Sequence, residues 1–139
     1  MFWTKTTPQD FMPERTIDAL KANFNEQELL ELSRFGTHVD VPAGTELTTE
    51  GTLGQQALIV VAGTAVVLRG GEEIATIGAG EIIGEIALLS GEPRTATVRT
   101  ETDATLYALS PRDFASMLAR CPRLAKRVTS TAMRRLTAA

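Results

Sequence analysis

The stretch from Thr37 to Leu109 most constrains the fold, because short apolar segments alternate there with glycine-containing turns. Segments this short are typical of β-strands rather than helices. Gly70-Gly71 predicts a two-residue hairpin, since both turn positions can take positive φ. Many short strands at this spacing indicate a sandwich, jelly roll or barrel. The predicted strands are Val39–Val41, Thr45–Thr49, Ala57–Val61, Ala65–Leu68, Ile74–Ile77, Thr95–Val98 and Ala104–Leu109.

Two helices are predicted before the β-rich stretch, over residues 13–36. Residues 1–12 show no clear period and predict a loose arm. Pro13 favours a helix start. Asn25 and Glu28 have the spacing of a capping box at the start of a second helix, and Gly36 is expected to end it. The apolar residues of the first helix recur at helical spacing and are Ile17, Leu20 and Phe24.

Two further helices are predicted over residues 110–139. Ser110 can cap the first, which begins at Pro111 and places Phe114, Met117 and Leu118 on its inner face, and Cys121-Pro122 breaks it. The last helix has apolar residues four positions apart, namely Leu124, Val128, Ala132 and Leu136. This segment is also basic, with Asp113 as its only acid. Its basic residues form either a solvated face or a face toward an acidic partner surface or, in a longer relative, a DNA backbone. They are Arg112, Arg120, Arg123, Lys126, Arg127, Arg134 and Arg135.

Size and composition exclude several classes of protein. The 139 residues, 43% hydrophobic, predict one globular domain over 1–139. The formal charge of −3 is opposite to that of a generic nucleic-acid binder, so no nucleic-acid partner is expected for this chain alone. Cys121 is the only cysteine, which excludes an intrachain disulfide. No apolar run approaches a membrane span and no signal peptide follows Met1, so a cytoplasmic protein without membrane attachment is expected.

The strand pattern is interrupted at residues 84–90, which are rich in helix formers and predict one or two helical turns. Gly84 precedes the turn, whose free N–H groups can face an anion. Arg94 can fold back over it, and a guanidinium opposite helix N–H groups forms a site for one phosphate. The Glu85 carboxylate would repel a phosphate, so it is expected to face a sugar hydroxyl, and Thr95 adds another hydroxyl. This combination indicates a nucleotide whose phosphate lies close to its own ribose.

The runs Gly-Glu-Ile-Ala-Leu-Leu at 84–89 and Pro-Arg-Thr-Ala-Thr-Val at 93–98 closely resemble the phosphate-binding cassette of cyclic nucleotide-binding domains. That family includes regulatory parts of cyclic nucleotide-dependent kinases, gated channels and catabolite-activator regulators. The resemblance extends over residues 26–137. It implies a mainly β fold, a jelly-roll-like β-roll of about eight antiparallel strands over 37–109, with helices before it and two C-terminal helices after it.

The resemblance also implies a ligand, cAMP or cGMP, and a cassette over residues 84–96. Arg94 matches the arginine that pairs with the cyclic phosphate, and Glu85 matches the glutamate that binds the ribose 2′-OH. Thr95 matches a position where a hydroxyl is compatible with either base. The candidate ligand-binding residues are Gly84, Glu85, Ile86, Ala87, Arg94, Thr95 and Ala96. Ile82-Ile83 and Ala57-Leu58 stand where the family often has aromatic residues, so aliphatic walls are expected for the base.

The function implied is allosteric sensing without catalysis. No catalytic triad is found, and His38, the only histidine, cannot build a multi-histidine metal site, so no metal or cofactor beyond the ligand is expected. Arg94 is expected to reach solvent when the site is empty.

The expected partner is a protein or a second copy of the chain, bound through the terminal helices. Two alternatives remain open: a fragment of a catabolite-activator-type transcription regulator, and a degenerate roll that acts as an interaction or dimerisation module.

Overall fold

The computed structural model of the protein describes residues 12–53, 56–84 and 93–137, with side chains as far as Ser130. These ranges contain four helices: α1 (Glu14–Leu20), α2 (Glu26–Phe35), α3 (Pro111–Arg120) and α4 (Pro122–Thr137). They contain eight strands: β1 (Thr37–Val41), β2 (Glu46–Thr48), β3 (Ala57–Ala62), β4 (Ala65–Arg69), β5 (Glu72–Ile77), β6 (Ile82–Ile83), β7 (Thr97–Thr100) and β8 (Ala104–Leu109). Within the same ranges no helix is long and apolar enough to cross a membrane.

The strands form two four-stranded antiparallel sheets, in the orders β1-β8-β3-β6 and β2-β7-β4-β5. The predicted β-roll with two helices before it and two after it is therefore confirmed. The hairpin at Gly70-Gly71 is also confirmed. Both glycines have positive φ, +59° and +82°, and Arg69 pairs with Glu72 across the turn.

Two of the departures from the predicted strands have a non-local cause. Strand β6 was not predicted, because two residues are too few to show alternation and Ile83 is a strand residue only through its pairing with Leu58. The predicted strand Thr95–Val98 begins two residues later, at Thr97. The carbonyls of Thr95 and Ala96 accept hydrogen bonds from side chains instead of from a neighbouring strand.

Two apolar layers share strand β3, because successive side chains of a strand face opposite sides. One layer lies between the sheets and is called the roll core. Its buried members are Leu58, Val60, Ala65, Ile77, Ile83, Val98, Leu106 and Ala108. The other lies between the first sheet and the helices and is called the helical cluster. Its buried members include Ala57, Ile59 and Val61 of β3, Leu20, Leu29, Leu32, Phe114, Met117, Leu124 and Val128.

The helix boundaries follow the predicted signals. Asn25 and Glu28 form a complete capping box at the start of α2, and the Ser110 hydroxyl accepts a hydrogen bond from the Asp113 N–H at the start of α3. Gly36 ends α2 with a φ of −82°, so it is not needed for a left-handed turn. A Cβ there would lie 2.8 Å from the Leu32 carbonyl oxygen, which explains the glycine as a close-contact residue.

The N-terminal region departs from the sequence prediction in two places. Residues 1–11 of the predicted arm lie outside the described residues, but Met12 is buried in the helical cluster. Helix α1 ends at Leu20, so Phe24 lies in the connection to α2 rather than on α1. Phe24 is nevertheless buried in the helical cluster, which accounts for its position in the apolar pattern.

Candidate functional site

Arg94 lies just before β7, and its backbone is fixed by the loop that follows β2. The Arg94 N–H donates to the Thr52 carbonyl at 2.6 Å, and the Gly51 N–H donates to the Arg94 carbonyl at 2.8 Å. Two backbone hydrogen bonds between the same two segments restrain the peptide units on both sides of the Arg94 Cα. The position of the Arg94 Cα therefore depends on these backbone hydrogen bonds and not on the type of side chain at residue 94.

The guanidinium of Arg94 lies across the ends of two paired strands. Its Nη2 donates to the carbonyl of Gln56, the residue before β3, at 2.7 Å. Gly84, the residue after β6, lies against the guanidinium so closely that a Cβ at Gly84 would overlap Nη1. Because β3 and β6 pair through Leu58 and Ile83, these two strand ends are adjacent. The sheet thus brings Gln56, Gly84 and Arg94 together from distant parts of the sequence.

Arg94 is only 9% exposed, so the expectation that it reaches solvent was wrong. The physical reason is the pair of residues that surround the guanidinium, of which sequence inspection identified Gly84 but not Gln56. Gln56 offers a carbonyl acceptor for the guanidinium, and Gly84 leaves the space in which the guanidinium lies. A buried and oriented arginine loses less conformational entropy when it binds an anion than an exposed one does.

The other candidate residues fall into two groups. Thr95 is exposed, and its carbonyl accepts a hydrogen bond from Arg69 Nε at 3.2 Å. Ala96 is half-buried, and its carbonyl accepts from the Thr48 hydroxyl at 3.1 Å. The predicted helical turn and its candidate residues Glu85, Ile86 and Ala87 lie outside the described residues.

Only one residue of each predicted base wall faces the roll core. Leu58 and Ile83 are paired partners on β3 and β6, and both are buried in the roll core. Ala57 and Ile82 are on the opposite face and contact the helical cluster. Of these four residues, only Leu58 and Ile83 are therefore placed to serve as walls inside the roll, and their contact with a base stays a prediction.

Sequence inspection did not identify the residues that position Arg94. Gln56 and Thr52 act through their backbone carbonyls, which are the same for every residue type, so the sequence contains no signal for them. Arg69 is a charged residue on β4 whose contact with Thr95 depends on how β4 pairs with β7. The contact between Arg69 and Thr95 could have been predicted only from the sheet topology.

The remaining titratable candidates are separate from this site. Burial raises the pKa of the Cys121 thiol to about 11, with further upward contributions from Glu28 and Glu31 and an opposing one from Arg120. A thiol with that pKa is protonated at neutral pH and is a poor nucleophile.

Within the described ranges, no group of three or more His, Cys, Asp or Glu residues is arranged to hold a metal ion.

Replacing Gly84 with alanine is expected to destabilise the fold by about 1–3 kcal/mol. Its φ of +89° is costly for any residue with a Cβ, and the methyl group would force the Arg94 guanidinium to move. Gly44→Ala is the matched control, because Gly44 has a φ of +85° but open space around it. Urea unfolding should show a larger loss for Gly84→Ala. Equal losses would mean that backbone strain alone accounts for the effect and that the contact with Arg94 contributes nothing.

Comparisons with known proteins agree with this architecture. Residues 38–121 match the family model of the cyclic nucleotide-binding domain. A cyclic nucleotide-gated potassium channel from Rhizobium etli is 31% identical over 137 residues, covering 96% of this chain and 38% of the channel. The cyclic AMP receptor protein of Thermus thermophilus is 33% identical over 116 residues, covering 80% of this chain and 53% of that protein. This chain thus spans well under two thirds of the length of both curated relatives.

The similarity extends to three-dimensional structure. The crystal structure of the Thermus thermophilus catabolite activator protein superimposes on this chain with a TM-score of 0.72 at 29% identity. The superposition covers 89% of this chain and 59% of that protein.

Proposed function

Because this chain belongs to the cyclic nucleotide-binding domain family, we propose that it binds cAMP or cGMP at Arg94 and transmits the binding event to a protein partner. The main support is the buried Arg94 guanidinium, held between the Gln56 carbonyl and Gly84. A cyclic phosphate carries a single negative charge, and a planar guanidinium can contact two of its oxygens at once. Within this proposal the ligand is bound without chemical change, so no enzymatic activity, metal or further cofactor is required.

The other cassette residues have proposed roles that rest on the resemblance to the family and agree with their chemistry. Glu85 binds the ribose 2′-OH, because a carboxylate accepts hydrogen bonds and repels the phosphate. The backbones of Gly84, Ile86 and Ala87 approach the sugar and phosphate. Thr95, whose side chain is exposed, offers a hydroxyl toward the base, and Ala96 adds no side-chain bulk beside it.

Leu58 and Ile83 offer an apolar surface for the rest of the nucleotide. Both belong to the strands whose ends contact Arg94, so a ligand at the arginine is close to these two strands. Apolar contacts of this kind do not discriminate between adenine and guanine. Base selectivity therefore depends on polar groups such as the Thr95 hydroxyl.

Transmission is proposed to run through strand β3. The residue before it accepts the Arg94 hydrogen bond, while Ala57, Ile59 and Val61 on its outer face are packed against the helices. A ligand that shifts the ends of β3 and β6 therefore alters the surface on which all four helices rest. The helices respond only if the ligand binds one helix arrangement more tightly than another.

Calorimetric titration with cAMP, cGMP and 5′-AMP tests the proposal. At least one cyclic nucleotide is expected to bind about tenfold or more tightly than 5′-AMP, a difference of about 1.4 kcal/mol. The phosphate of 5′-AMP carries more charge and is not tied to the ribose ring, so holding two of its oxygens toward Arg94 beside the sugar hydroxyl costs conformational entropy that the cyclic phosphate does not lose. Binding of 5′-AMP as tight as that of both cyclic nucleotides would reject the proposal. Absence of binding by all three would favour the degenerate-roll alternative.

A further inference from the structure

The C-terminal helices have a charge distribution unlike the rest of the chain. Residues 114–139 contain six of the 14 basic residues and none of the 17 acidic ones, so they carry a formal charge of +6. The remaining residues carry −9, which gives the chain total of −3. An acidic protein therefore carries a segment of uninterrupted positive charge on α4 and the end of α3.

Two of these basic residues are held against the N-terminal helices. The guanidinium of Arg120 lies 5.5 Å from the centre of the Phe35 ring and 3.7 Å from a carboxylate oxygen of Glu31. The guanidinium of Arg127 lies 5.0 Å from the centre of the Phe24 ring. Cation–π contacts at these distances are favourable. The Arg120 contacts tie the end of α3 to α2, and the Arg127 contact ties α4 to the segment before α2.

Arg123 and Lys126 lie between these two anchored residues and are exposed. Neither makes a hydrogen bond or ion pair within the part of the chain that the structure describes. We call Arg123, Lys126 and Arg127 the basic stripe. Their spacings of three and four residues place them along one side of α4. Arg123 and Lys126 are on its exposed face, and Arg127 is at the border with the helical cluster that holds Leu124 and Val128.

The basic stripe is unfavourable for the isolated helix. Arg123 lies in the first turn of α4, which contains no acidic residue, so its positive charge meets the positive end of the helix dipole. Like charges three and four residues apart also repel each other. Arg123 and Lys126 therefore do not serve the stability of α4, and a bound anion would relieve both sources of repulsion.

We propose that the basic stripe docks a short acidic segment of a partner protein. An extended polyanion, such as a nucleic-acid duplex or an anionic membrane, would reach past α4 and be repelled by the rest of the protein, which carries a formal charge of −9. A short segment rich in aspartate and glutamate contacts the stripe alone. The proposal does not depend on nucleotide binding, so it can fail or succeed independently of the proposed function.

A fluorescein-labelled oligoglutamate peptide is the probe, with binding followed by fluorescence anisotropy. The double variant Arg123→Gln/Lys126→Gln is expected to bind about fivefold more weakly than wild type. The control Arg15→Gln/Arg99→Gln removes the same charge from exposed residues outside α4 and is expected to bind like wild type. Binding should weaken as salt increases, because exposed charges are screened. Equal losses for the two double variants would overturn the proposal.

Thermal unfolding supplies a second readout. The Arg123→Gln/Lys126→Gln variant is expected to unfold at a higher temperature than wild type, because the repulsion within the stripe is removed. A lower unfolding temperature would overturn the electrostatic premise. Tighter binding of a DNA duplex or of phosphatidylserine vesicles than of the peptide would overturn the choice of partner. Salt-sensitive self-association of wild type in sedimentation, lost in the variant, would instead identify a second copy as the occupant.

Discussion

Replacing Arg94 with alanine is expected to weaken cyclic-nucleotide binding by about 2–5 kcal/mol, by analogy with the truncation of one member of a buried charge pair. The phosphate would enter a site that has lost the formal positive charge facing it, and an uncompensated buried charge is costly. Arg94→Lys should recover only part of the affinity, because a single ammonium cannot reproduce the planar geometry of the guanidinium.

The control for this experiment is Arg99→Ala, which removes the same charge from an exposed residue of β7. It is expected to leave affinity within about twofold of wild type, since exposed charges contribute little. Arg94→Ala should also lose some stability, because the bond from Nη2 to the Gln56 carbonyl disappears. Unfolding curves must therefore accompany the titrations. Binding by folded Arg94→Ala within about threefold of wild type, a loss below ~0.7 kcal/mol, would contradict the assignment of Arg94.

Replacing Leu124 with alanine is expected to lower the free energy of unfolding by about 2–5 kcal/mol. Leu124 is fully buried in the helical cluster, so the truncation removes buried apolar surface and leaves a cavity among rigid neighbours. The effect would show that α4 is an integral part of the packed structure.

Leu53→Ala is the matched control for Leu124→Ala. The same atoms are removed, but Leu53 is 66% exposed, so a change below about 0.5 kcal/mol is expected. Both variants are measured by denaturant unfolding with the same probe. A loss for Leu124→Ala as small as that for Leu53→Ala would mean that α4 is not stably packed in solution.

Much of the fold could be predicted because its signals are local. The capping box of Asn25 and Glu28, the Ser110 cap and the Gly70-Gly71 turn each depend on interactions within a few residues. The ends of strands were predicted less accurately where polar residues interrupt the alternation of apolar and polar residues. Strand β5 begins at Glu72, although its first apolar residue is Ile74.

The candidate site could be predicted only in part. Arg94 and Gly84 were identified from their order along the chain, and the structure brings them into contact. The same reasoning gave Arg94 the wrong environment, since it assumed that a charged side chain without a ligand turns to solvent. The contact with Gln56, 38 residues away along the chain, reverses that expectation.

The sequence by itself determined the classes of element and their order, because helix caps, glycine turns and alternation act through neighbouring residues. It also determined which residue types were available for a phosphate and a sugar. The tertiary structure decided where those residues lie. The pairing of β3 with β6 joins residues that are 25 positions apart, Leu58 and Ile83, and so places the Gln56 carbonyl and Gly84 around one guanidinium. Backbone carbonyls are identical along the chain, so such a contact is specified by sheet register and not by any residue that can be recognised in the sequence.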